Sequence, residues 1–317
     1  MPARTSIALN FRAEAYDFPD GSVDAGTVMS WLDKAGYAMA ATWTRTNVVA
    51  AYVGNMRFQH SVPVESTVVV QARLIRTGKK TVHVQTRLLL PEQLDEDGQP
   101  TVATQCVLIY TAVNDAGDPV PVPPWEPTTE GGLARRALAE RRGVEHRAGE
   151  DALDTAVFPE PEDTSAEIVT LRFVASTKEV PRGGKVPGGT VLRWIDTAAD
   201  VCAARWVGAP VVAVFAGGVR FLREVRSGDL VEIEARLVHT TKRSVYVVIR
   251  ARTGSRTSRE MHSFAHGVSV MVSTGPDGKA REVPAWEATT AEEKVLEKMS
   301  VDLVELRNRV VYEWARS

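Results

Sequence analysis

The chain has 317 residues, 25 % of them charged and 44 % apolar, with a formal net charge of −2. Near-neutral charge gives no electrostatic reason to expect nucleic acid or an anionic membrane as partner, and the longest uncharged apolar run, residues 206–219, is too short to span a bilayer. Ala3-Arg4-Thr5 leads into a strand-like segment rather than an apolar signal region, and Cys106 and Cys202 suit a reducing compartment as buried small residues. The expectation is a soluble cytoplasmic protein with no disulfide and no metal site.

In chain order, a strand is predicted over 6–12, then a Gly-containing loop (Asp20–Gly26) opening a helix from about Thr27 to Trp43. Val28, Met29, Trp31, Leu32, Ala35, Tyr37, Ala38 and Met39 spread around that helix, which predicts that other structure encloses it. Four Val- and Ile-rich segments with partial alternation follow, about 47–58, 64–76, 80–90 and 101–113. Asp97-Gly98 and Asp115-Ala-Gly117 mark turns. Residues 131–142 read as an exposed amphipathic helix, and 145–166 as an acidic, Pro-containing linker.

The pattern then begins again. A strand over 167–174 and a loop, Gly183–Gly189, precede a helix over Thr190–Trp206. Strands follow at about 211–221, 229–239, 243–252 and 258–272, then a turn at Pro276-Asp-Gly278 and a helix over 290–309. Residues 23–84 laid without a gap on 186–247 give 25 identities in 62 positions, the mark of an internal duplication. A long helix after a first strand, followed by an antiparallel run, predicts a sheet wrapped around a buried helix. The fold class is therefore α+β: two fused hotdog domains, 1–144 and 167–317, joined by the linker.

Asp33 and Asp196 are identities of the repeat, each about two turns inside its apolar helix. A carboxylate buried there is costly unless paired or protonated, and desolvation raises its pKa toward that of a general base. A structural acid bonded to a neighbouring amide or Arg is the alternative; its repetition favours catalysis. Gly26, Thr27, Gly188, Gly189 and Thr190 open the two helices, where amides and the dipole suit a carbonyl oxygen or phosphate, or serve as a simple cap. Lys79, Lys80, Lys242 and Arg243 occupy equivalent turns, fit either for phosphate groups or for solvent. Arg57-Phe58 and Arg220-Phe221 end equivalent strands, with the Phe predicted in the core. The histidines do not repeat, and His262 and His266 fall in a strand rather than at zinc-helix spacing.

Gly-Gly-Thr-Val-Leu-Arg-Trp-Ile-Asp196-Thr-Ala-Ala resembles the helix motif of the cytosolic acyl-CoA thioester hydrolases of the hotdog superfamily. Gly218-Val-Arg-Phe221 through Asp229 is similar to that family's strand pair, and Asp115–Pro123 to the end of its last strand. The resemblance covers nearly all of both repeats. It implies hydrolysis of acyl-CoA to a free acid and coenzyme A, with no cofactor beyond the coenzyme A of the substrate. It further implies that the helix Asp of one hotdog works with the Gly loop of its partner, Asp196 with Asp20–Gly26 and Asp33 with Gly183–Gly189. The Asp would activate water or attack the thioester, and helix-start amides would polarise the carbonyl.

Two departures stand out. The polar loop residue three positions before the Gly pair is Ser22 in one repeat and Lys185 in the other, and the family's strand acid is glycine in both, Gly54 and Gly217. Asp20, Ser22 and Asp24 can bond water, whereas the second loop offers mainly backbone and Lys185, which predicts unequal sites with Asp196 and the first loop the hydrolytic pair; Lys185 leaves the opposite assignment open. A hotdog dehydratase would need a His in the helix or loop, and none lies there. A non-catalytic acyl-CoA binder or regulator is the other alternative. The resemblance also implies a homo-oligomer, in which three double hotdogs form a ring.

Overall fold

A computed structural model describes residues 4–14, 22–140, 158, 164–176, 184–275, 279–308 and 314. The chain divides into two compact units, Met1–Arg147 with Val310–Ser317, and Ala148–Arg309.

The first unit contains β1 (Ser6–Arg12), α1 (Ala25–Thr44), β2 (Asn47–Val53), the short β3 (Met56–Arg57), β4 (Thr67–Thr77), β5 (Thr81–Leu94), β6 (Pro100–Val113) and α2 (130–140). Its main sheet is antiparallel in the order β1-β4-β5-β6-β2. Alternation along β4 turns Val68, Val70, Ala72 and Leu74 inward, all buried. Against them lies α1, whose Val28, Met29, Leu32, Ala35, Met39 and Ala40 are also buried. Trp31 stacks on Phe11 of β1 at 5.5 Å. Ala139 of α2 packs with Ile75 and Val107, which point the other way from their strands.

The second unit repeats this with β7 (Ile168–Val174), α3 (Gly188–Val207), β8 (Val211–Phe221), β9 (Leu230–Thr240), β10 (Ser244–Gly254), β11 (His262–Ser273) and α4 (Ala291–Asn308). Its sheet runs β7-β9-β10-β11-β8, again antiparallel. The aromatic contact recurs with a different geometry, Phe173 meeting Trp194 edge-on at 4.9 Å. Leu296, Leu303 and Val304 of α4 cluster with Phe215, Val238, Val248, Val268 and Val270. Equivalent tacks hold the last segment of each unit: Trp43 and Trp206 donate their indole N–H groups to the Pro123 and Pro284 carbonyls at 2.9 and 3.0 Å.

A long helix held against an antiparallel sheet, twice, is the predicted α+β double hotdog. Three details differ from expectation. The single segment predicted over 47–58 divides into β2 and β3, because Gly54 and Asn55 leave the strand; the Gly54 amide bonds the Val107 carbonyl at 2.8 Å. Phe58 and Phe221 are half-buried rather than core. α1 and α3 each begin two residues before the predicted Thr27 and Thr190, after Asp24 and Pro187. The predicted turn at 276–278 and most of the linker lie outside the described residues.

Candidate active site

Both repeated acids are buried, Asp33 and Asp196 each being 6 % exposed. They occupy equivalent places on α1 and α3. Tyr110 of β6 brings its hydroxyl to 2.9 Å from Asp33 Oδ1 and 3.0 Å from the Asp33 carbonyl. Burial first, and the adjacent Asp33 charge second, push the Tyr110 phenol well above its ordinary range, so it stays protonated and donates. Nearby, Cys106 and Thr86 lie 3.2 Å apart, and burial pushes the thiol up to about 12. Cys202 is buried as well, its thiol also pushed up to about 12. Neither thiol is a nucleophile at neutral pH.

The loops that open the helices are fastened alike. Ser22 bridges Pro63 and Val23 donates to the Val62 carbonyl; Lys185 bridges Arg226 and Val186 donates to the Val225 carbonyl. Their ends are finished differently. Asp24 accepts from the Thr27 amide at 2.7 Å and the Thr27 hydroxyl at 2.9 Å, capping α1. At α3 the capping position is Pro187, which supplies no side chain; its carbonyl accepts from the Thr190 and Val191 amides. Gly26 and Gly189 are buried, while Thr27, Gly188 and Thr190 are half-buried. Lys185 bonds Glu224 at 2.8 Å. Asp20, Gly21 and Gly183 lie outside the described residues.

The turn cations stand in solvent. Lys79 and Lys80 are exposed between β4 and β5, and Arg243 is exposed between β9 and β10. Lys242 pairs with Glu282 at 2.8 Å where both side chains are about 70 % exposed, a contact of little energetic weight. Sequence reasoning did not anticipate a shallow cleft of about 400 Å³ in the second unit, lined by Arg223, Glu224, Arg226, Asp229, Thr253 and His262 among others. It adjoins the α3 loop through Lys185, Glu224 and Arg226. The one signal for it was the run of charges between Arg220 and Asp229. Among the described residues no group of three or more His, Cys, Asp or Glu is arranged to hold a metal ion.

Each unit thus offers a buried carboxylate on a long helix that starts with glycine, the Thr27 and Thr190 amides being held by Asp24 and the Pro187 carbonyl. A buried carboxylate suits removal of a proton from water, and helix-start amides suit a polarised carbonyl.

The family model of the thioesterase superfamily matches twice, over residues 21–94 and 183–259. The chain is 24 % identical over 290 residues to the cytosolic acyl coenzyme A thioester hydrolase of Rattus norvegicus, covering 86 % of this chain and 75 % of that protein. It is 23 % identical to the human protein of the same name, over 86 % and 76 % of the two chains. A single stretch of 105 residues, 33 % of this chain, is 30 % identical to the acyl-CoA thioester hydrolase YciA of Salmonella typhimurium and covers 79 % of it. Among solved structures, an oleoyl thioesterase from Lactobacillus plantarum superposes with a TM-score of 0.56 over 88 % of this chain and 97 % of that one. At 11 % identity that likeness speaks for the fold.

Proposed function

The chain belongs to the thioesterase superfamily as a tandem hotdog of the acyl-CoA thioester hydrolases, and from that premise we propose that it hydrolyses acyl-CoA to a free acid and coenzyme A through Asp33 and Asp196. The observation that carries the reading is one carboxylate kept at the same buried point of the same helix in both units, 6 % exposed in each. Water oxygen attacks the thioester carbonyl carbon while the aspartate takes the water proton. The tetrahedral intermediate collapses with loss of the C–S bond, and the thiolate of coenzyme A receives a proton.

Amides at Gly26, Gly188 and Gly189 are assigned to the carbonyl oxygen, where helix-start dipoles favour negative charge; the Thr27 and Thr190 amides, expected to join them, are taken by Asp24 and the Pro187 carbonyl. Ser22 is assigned to water. Asp24 shapes the first loop, since its oxygens hold Thr27. Lys79, Lys80, Lys242 and Arg243 are assigned to coenzyme A phosphates, for which their exposure leaves room. The reaction so written needs no cofactor beyond the substrate's coenzyme A. No described helix is long and apolar enough to cross a membrane, and the curated relatives are named cytosolic, which supports a cytoplasmic site of action. β1 ends the strand order of the first unit and β7 that of the second, edges that further copies can cover. They support a homo-oligomer, as a trimer of double hotdogs.

A non-catalytic acyl-CoA binder is the second reading, favoured by glycine at the place of the family's strand acid, Gly54 and Gly217. Release of free thiol from a panel of acyl-CoAs, short to long, decides between them. Turnover by the wild type, lost about 100-fold or more in Asp33→Asn/Asp196→Asn with binding retained, is the expected result. Binding without turnover at any chain length transfers the protein to the second reading.

A further inference from the structure

The two units differ at their acids by a set of linked changes. Tyr110 stands opposite Val82 on β5, and in the second unit Met271 stands opposite Val245 on β10. Val82 and Val245 coincide in the repeat, so Met271 is the counterpart of Tyr110. The same registers match Cys106 with Gly267, Leu108 with Ser269 and Thr86 with Ile249. A phenol, a thiol and a hydroxyl in the first unit give way to a thioether, a glycine and an aliphatic chain in the second.

The helix is shaped for the phenol. A Cβ at Gly36 would lie 2.5 Å from Tyr110 Oη and 2.7 Å from Leu108 Cδ1. The second unit, with Met271 and Ser269 on the strand, carries Ala199 at this position. Glycine in a helix interior is destabilising relative to alanine, so the space it opens marks a contact built at some cost. Through that space the Tyr110 hydroxyl reaches one turn of α1: Asp33 Oδ1, the Asp33 carbonyl and the Tyr37 amide.

We propose that Tyr110, admitted by Gly36, is a positioning residue that clamps Asp33 in its ionised form and weakens it as a base. This rests on the reading of Asp33 and Asp196 as the groups that activate water. A hydrogen bond to the charged form favours that form and weakens the group as a base. Other described groups also face α1. β4 and β5 present aliphatic side chains with Thr86, β1 presents Phe11, β2 presents Tyr52, and β6 adds Cys106, whose thiol stays neutral.

The test is a carbon-detected NMR titration of the aspartate carboxyls, Asp33 and Asp196 being assigned by loss of signal in Asp33→Asn and Asp196→Asn. Tyr110→Phe raises the Asp33 midpoint by about one to two units, as expected for losing a hydrogen bond to an ionised carboxylate, and leaves Asp196 in place. Gly36→Ala, which displaces the phenol without deleting it, moves Asp33 in the same direction. Met271→Tyr with Ala199→Gly, the reciprocal change, lowers the Asp196 midpoint. In the Asp196→Asn background, Tyr110→Phe raises thiol release several-fold. An unmoved Asp33 midpoint, or equal shifts of both acids, overturns the clamp. Absence of wild-type turnover with the Asp33 shift intact overturns the hydrolase reading and leaves the clamp standing.

Discussion

Two residues of the first unit hold a backbone conformation that side chains disfavour, and the second unit shows the remedy. Arg45 ends α1 at φ 57° and Glu65 precedes β4 at φ 61°; their counterparts are Gly208 at φ 71° and Gly228 at φ 89°. The hydrogen bonds agree too, since Arg45 and Gly208 both donate to the carbonyl four residues back. Left-handed geometry costs an L-residue about 1–2 kcal/mol, part of which glycine returns as chain entropy. Arg45→Gly and Glu65→Gly should therefore each stabilise by about 1 kcal/mol, raising Tm by about 2–4 °C for a domain of this size. Calorimetry of the single variants checks this, and a lowered Tm in both contradicts it. At this scale the acids were legible because repetition selected them. Tyr110 was not, because its counterpart is methionine, and comparing the repeats discards whatever they do not share. Its signal lay in Gly36, a glycine inside a helix, whose meaning needs the register of a strand far along the chain.

Alternation made the strands legible, and on an antiparallel sheet with one face packed the polar residues of the other face ordinarily meet water. β9 departs from that rule. Glu232 is 2 % exposed although it faces away from α3, because β7 and β10 set Arg172 and Arg252 on either side of it. Both arginines bond its carboxylate, Arg172 Nε at 2.9 Å. Burial alone would raise the Glu232 pKa; the bonds from Arg172 and Arg252 outweigh it and hold the group below the usual carboxylate range. A folded pKa below the unfolded one gives stability that is full above the unfolded value, about 4.3, and is lost as pH falls through the folded value. Glu232→Gln should cost about 1–3 kcal/mol at pH 7, with the deficit shrinking toward pH 3. Urea unfolding at both pH values measures it, and a deficit independent of pH contradicts the assignment. A second device, on the same outer faces, was illegible for another reason. Trp314 lies 3.8 and 4.1 Å over Arg73 and Arg87 of the first unit, and Phe158 lies 4.5 and 5.9 Å over Arg250 and Arg236 of the second. The arginines match in the repeat, but the aromatics arrive from segments without periodicity.

For the molecule as a whole, duplication was the strongest signal, and the two copies are alike in frame but not in detail. Two units share strand order, helix placement and a buried acid, yet they have drifted where the acid is held. Drift is visible at the helix starts, where Asp24 caps α1 and Pro187 offers α3 no side chain. It is visible again at Tyr110 and Met271. Identity between repeats identifies what the fold and the chemistry require; difference between them identifies what each copy has been free to change. The unequal loops already predicted unequal acids, and the phenol beside Asp33 adds a second, independent asymmetry in the same direction. The most direct measurement is thiol release from the preferred acyl-CoA by Asp33→Asn and Asp196→Asn side by side. A loss of about 100-fold or more is expected in Asp196→Asn, with a much smaller loss in Asp33→Asn. Equal losses, or the reverse order, would contradict it.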